Sequence, residues 1–106
     1  GLPNQISEWD WYHLCWDGSL YNAAEQVMFA CENAVDMQPQ VGTLVDSRGV
    51  ALALAGELDE AKHDFQAFVN WTSDADKKAQ RQGWINSIER GEDPFTSEVV
   101  AALRLE

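Results

Sequence analysis

No lysine or arginine occurs in residues 1–47, although that stretch holds seven acidic residues: Glu8, Asp10, Asp17, Glu25, Glu32, Asp36 and Asp46. The whole chain carries 18 Asp plus Glu against 7 Lys plus Arg, a net charge of −11. Nucleic acid requires a basic footprint to neutralise its phosphates, so it is not expected as a partner. An acidic half attracts basic partners and repels anionic surfaces. No apolar run approaches the ~20 residues of a membrane helix, and no membrane partner is expected. No positively charged segment precedes an apolar one near the N-terminus, so no signal peptide is read. The two cysteines, Cys15 and Cys31, are too few for a disulfide framework. Both fall on apolar positions of neighbouring predicted helices. Buried thiols and a single disulfide both remain open, and with them a cytoplasmic or an extracytoplasmic setting.

At 106 residues the chain is one domain by length, and it reads as a module excised from a larger protein. Strand-like alternation is missing, and apolar residues recur at helical spacing instead. Residues 1–7, with Pro3 and Asn4, form a lead-in. Ser7 caps a first helix over about 8–20. Asn22 with Glu25 has the form of a capping box for a second helix over about 23–37, which Pro39 terminates. Thr43 caps a third helix to about 55, closed by Gly56. Asp59 caps a fourth over 60–71, Ser73 a fifth over 74–90 closed by Gly91, and Thr96 or Ser97 a short sixth over 97–105.

Cys15, Gly49 and Gly83 are spaced 34 residues apart, as are Asn22 with Gly56 and Cys31 with Phe65. A fixed period of this length marks stacked helical hairpins. The predicted fold is therefore all-α: about six helices in antiparallel hairpins, a short α-solenoid over residues 8–106. Its units are 8–41, 42–73 and a degenerate, cap-like 74–106. Small residues at Ala34, Gly49, Ala61 and Gly83 are read as close-approach points. Trp11, Leu14, Phe65 and Phe68 are read as the filling between them.

These positions resemble the tetratricopeptide repeat. The first unit supplies Trp11, Leu14 and Cys15, then Val27, Cys31, Ala34 and Pro39. The second supplies Gly49, Leu52, Ala61 and Phe65, with Val45, Phe68 and Ser73 departing from the pattern. The third keeps Gly83 and the pair Phe95 and Val99. The resemblance implies a scaffold for protein–protein interaction, with first helices lining a concave surface. Some members of that family grip a carboxylate terminus with cationic side chains. Tyr12, Trp16, Asp46 and Val50 stand at the corresponding positions, so that mode is not expected.

The first helix is apolar on a second side as well, through Trp9, Trp16 and Leu20, with His13 alongside. This stripe could line a ligand groove, pack on a neighbouring domain or a second copy, or lie beneath Leu2 and Ile6 of the lead-in. Extending the groove by the period gives a predicted binding surface of Trp9, Tyr12, Trp16, Leu20, Val50, Leu54, Trp84 and Ile88, with Asp46 and Gln80 on an acidic fringe. Such a surface suits an apolar or basic peptide helix. A self-associating structural module, a homodimer through the Trp9 stripe, is the alternative. Catalysis has little support. Cys15 and His13 fall on different helix faces, and Asp59, Glu60, His63 and Asp64 fit a solvated charged face better than a metal site. No cofactor is expected.

Overall fold

The computed structural model describes residues 6–106, and the expectations for Leu2, Pro3 and Asn4 lie outside that range. The described chain is helical, without a strand. Its elements are α1 (Glu8–Gly18), α2 (Ala24–Met37), α3 (Gly42–Leu54), α4 (Leu58–Trp71), α5 (Ala75–Glu89) and α6 (Ser97–Arg104). Neighbours α1 to α5 pack in sequence, and α1 also lies on α3.

Ser7 caps α1 as its sequence suggests. Its hydroxyl accepts from the Asp10 N–H at 3.2 Å, and the Asp10 carboxylate accepts from the Ser7 N–H at 3.0 Å. Two orphan groups at the helix start thereby satisfy each other. Bonds from the Ser7 backbone first, and then its hydroxyl, hold the Asp10 carboxyl below its ordinary range. Gly56 and Gly91 take left-handed backbones, with φ of 91° and 78°, where the third and fifth helices end.

Between α1 and α2 the expectation is corrected. Asn22 caps nothing. It sits at φ 69°, in the kink over Ser19–Ala23 where the backbone leaves helical angles, and α2 starts from Ala23 without a side-chain cap. Asn tolerates the left-handed region through local hydrogen bonding, so it marks a kink here instead of a start. Tyr21 and Asn22 both leave helical backbone angles, so α1 and α2 are two helices meeting at this kink, as the sequence reading expects. Other caps shift by a residue or two: Val41 precedes α3, Glu57 precedes α4, and Asp74 replaces Ser73 at α5 by accepting from the Asp76 and Lys77 N–H groups. Thr96 caps α6 through the Val99 N–H at 3.2 Å.

The cysteines are joined. A Cys15–Cys31 disulfide with Cα atoms 4.9 Å apart, both residues fully buried, ties α1 to α2. Closing a loop of this size constrains the unfolded chain by about 3 kcal/mol.

Two glycines that the period makes equivalent play opposite parts. A Cβ on Gly49 would lie 2.8 Å from Phe65 Cε1 and 3.0 Å from Asp64 Cβ, so α3 and α4 meet closely there. A Cβ on Gly83 would meet nothing within 4 Å, which corrects its reading as a close-approach point. We expect Gly49→Ala to cost about 1–3 kcal/mol by overpacking. Gly83→Ala should instead stabilise by about 0.5–1 kcal/mol, because glycine in a helix interior is penalised and the site is open. Urea denaturation of the two variants checks both signs.

Candidate functional site

The structure brings most of the predicted surface residues together, but in the interior. Trp16, Leu20, Val50, Trp84 and Ile88 are buried in one cluster, with Tyr12 and Leu54 packed against it. Trp9 alone of the eight stays outside that cluster. It is 44% exposed, with its ring edge-on to Tyr12 at 5.6 Å. The face is not an open groove because the chain fills it. Phe95, Val99 and Val100 pack on this cluster, and Leu103 is fully buried in it.

Pro94 breaks the chain after α5, and α6 folds back toward the kink between α1 and α2. Arg104 donates from Nε to the Leu20 carbonyl at 2.8 Å and lies 4.6 Å over the Tyr21 ring. A helix with Val99, Val100 and Leu103 on one side must bury that side, and the aromatic cluster around Trp16, Phe65 and Trp84 is the apolar surface it meets. Phe95 completes the fit. It lies 4.8 Å from Trp84 and 5.9 Å from Phe65, centroid to centroid.

Beside this seat lies a cleft of ≈ 230 Å³, lined in part by Tyr12, Trp16, Asp46, Phe68, Trp71 and Arg81. Its floor is an ion pair that the sequence reading missed. Arg81 donates from Nε and Nη2 to the two Asp46 oxygens at 3.0 and 2.6 Å, with both residues buried. Arg81 Nη1 also donates to Gln80 Oε1. The guanidinium lies 4.6 Å over Trp84 and 5.2 Å over Phe68. Asp46 is thus not part of a solvated fringe. Burial pushes its carboxyl above the ordinary range, and the bonds from Arg81 oppose that shift. Burial, and then the Asp46 charge, push the Tyr12 hydroxyl up. The available signal was spacing: positions 46 and 81 are one residue off the 34-residue period, which sets them at near-equivalent points of α3 and α5.

Cys15, Cys31 and Asp64, considered for catalysis or metal binding, are engaged elsewhere. Cys15 is spent in the disulfide. Asp64 accepts from Arg48 Nε and Nη2 at 2.8 and 2.9 Å, and that bonding holds the Arg48 guanidinium pKa up. Among the described residues no group of three or more His, Cys, Asp or Glu is arranged to hold a metal ion. No described helix is long and apolar enough to cross a membrane. Among the described residues the first hairpin also exposes apolar side chains: Leu14, read from sequence as filling, is 43% exposed, and Phe29 is 53% exposed against Trp11. Comparison with protein-family models, with curated proteins and with solved structures finds no match to this chain.

Proposed function

We propose that this domain is a protein-interaction module of the tetratricopeptide-like kind, a short stack of helical hairpins whose concave aromatic face receives an amphipathic helix. One observation carries the reading: α6 occupies that face with Phe95, Val99, Val100 and Leu103 as its anchors. A surface that seats one such helix in cis is chemically suited to a similar helix in trans. The sequential packing of neighbouring helices and the close approach at Gly49 support the stacked-hairpin description. The disulfide supports an oxidising compartment.

A partner would compete with α6, so its apparent affinity is reduced by the fraction of molecules whose seat is filled. The test uses Leu103→Ala to loosen the seat. Helical peptides with Phe, Val, Val and Leu at the spacing of positions 95, 99, 100 and 103 are titrated into the variant and the parent. We expect binding by the variant at least about tenfold tighter than by the parent. A folded Leu103→Ala variant that binds none of them at about millimolar concentration overturns the reading.

Self-association through the first helix is the weaker alternative. Trp16 and Leu20 are inside, which leaves Trp9 as the exposed remainder of that stripe.

A further inference from the structure

The first hairpin turns a second apolar surface outward, on residues that the concave face does not use. Trp11 of α1 and Phe29 of α2 meet edge to face at 5.8 Å. Leu14 lies one helical turn beyond Trp11 and is 43% exposed, and Phe29 is 53% exposed. Large apolar side chains grouped in this way on a soluble domain mark an interaction surface.

Charge surrounds this patch with one sign. Glu25, Glu32 and Asp36 are exposed and stand four before, three after and seven after Phe29, which places them along the same side of α2. Arg48, close enough to feel Glu32 and Asp36, is already bonded to Asp64. Residues 1–47 supply no lysine or arginine to offset the acid groups.

We propose that the Trp11–Leu14–Phe29 face docks a basic amphipathic helix of another protein, with apolar anchors on the aromatic pair and Lys or Arg against Glu25, Glu32 and Asp36. Charge decides between occupants. A second copy would bring the same acidic rim against itself, on a chain of net charge −11, and would be repelled. A helix with cations flanking an apolar stripe satisfies both parts of the surface. Steering by the rim raises the on-rate, and aromatic burial sets the residence time.

The test uses the full chain and a synthetic leucine–lysine helix of roughly 18 residues, five turns long. A peptide of identical composition in scrambled order serves as the control. Binding is read by tryptophan fluorescence or calorimetry at low and moderate salt. The ordered helix should bind about tenfold or more tightly than the scrambled one, and Leu14→Ala with Phe29→Ala should remove that advantage without any change in charge. Glu32→Lys with Asp36→Lys should weaken binding and flatten its salt dependence.

Equal binding of the two peptides means unspecific attraction and overturns the proposal. So does binding that ignores Leu14→Ala and Phe29→Ala, which would point to the concave seat instead. Concentration-dependent dimerisation in the ultracentrifuge that disappears with Phe29→Ala assigns the face to a second copy and equally overturns it. Because Leu14 and Phe29 are exposed and belong to none of the clusters that α6 packs against, failure of that pair of substitutions leaves the concave-face reading standing.

Discussion

Arg81→Ala is expected to remove about 3–5 kcal/mol of stability, the cost of leaving one buried charge without its partner. A domain of this size has on the order of 5–15 kcal/mol in total, so the variant should sit near its unfolding threshold. The size of the loss follows from geometry. Both Asp46 oxygens accept from Arg81, and both residues are nearly inaccessible. Deleting the guanidinium strands a carboxylate among Tyr12, Trp16 and Phe68. It also removes the flat cation stacked on Phe68 and Trp84. Conversely, Asp46→Leu with Arg81→Met should recover most of the loss, because two apolar groups of similar volume need no desolvation.

The single variant should also acquire a distinctive pH dependence. Asp46 already titrates above its ordinary value because it is buried. Without Arg81 its folded-state pKa climbs further, while its unfolded value does not change. The folded variant then binds a proton more readily than the unfolded chain does. The penalty is therefore full above the folded pKa and relieved as pH falls through it. Relative to the parent protein, Arg81→Ala should be less destabilised near about pH 5 than near about pH 7.5. Urea unfolding at both values is the measurement. A pH-independent difference would mean that the Asp46 carboxylate finds water or another donor once Arg81 is gone.

Much of this arrangement is legible before any coordinates. Helical spacing, the Ser7 and Thr96 caps and the turn glycines at 56 and 91 all act within a few residues, and local chemistry decides them. The 34-residue register picks out Tyr12, Trp16, Leu20, Val50, Leu54, Trp84 and Ile88, and the structure gathers them in and around one buried cluster. What covers that cluster is not local. The connection through Gly91, Pro94 and Phe95 fixes only that α5 stops. The apolar side of α6 would be satisfied by any apolar surface within reach, and choosing among them takes the full three-dimensional competition. The Asp46–Arg81 pair is obscured for a related reason. Each residue looks like an ordinary surface charge until neighbouring helices close over both. Gly83 shows the opposite error, since a periodic glycine invites a packing role that its open surroundings do not require.

Leu103→Ala should cost about 2–5 kcal/mol, the range for truncating a buried leucine. We expect the loss to fall on α6 before the rest of the domain. The element spans Ser97–Arg104, eight residues. A helix that short is not stable alone in water, so once it leaves its seat it melts. Its hold consists of the Phe95, Val99, Val100 and Leu103 side chains and the bond from Arg104 to the Leu20 carbonyl. Phe65, Val50 and Ala61 are also held by the direct packing of α3 on α4, in which α6 takes no part. Native-state hydrogen exchange separates the two events. In the variant, the Val100 and Leu103 amides should exchange through a local opening, while amides of α3 and α4 stay protected up to the global unfolding free energy. Lowering the opening cost by about 3 kcal/mol would raise the affinity of a competing helix by roughly a hundredfold, since each 1.4 kcal/mol is a factor of ten. If α6 amides instead exchange only with α3 and α4, in parent and variant alike, then α6 is an inseparable part of the core. The aromatic face would then never be free for a partner, and the proposed recognition would fall to the exposed surface around Trp11, Leu14 and Phe29.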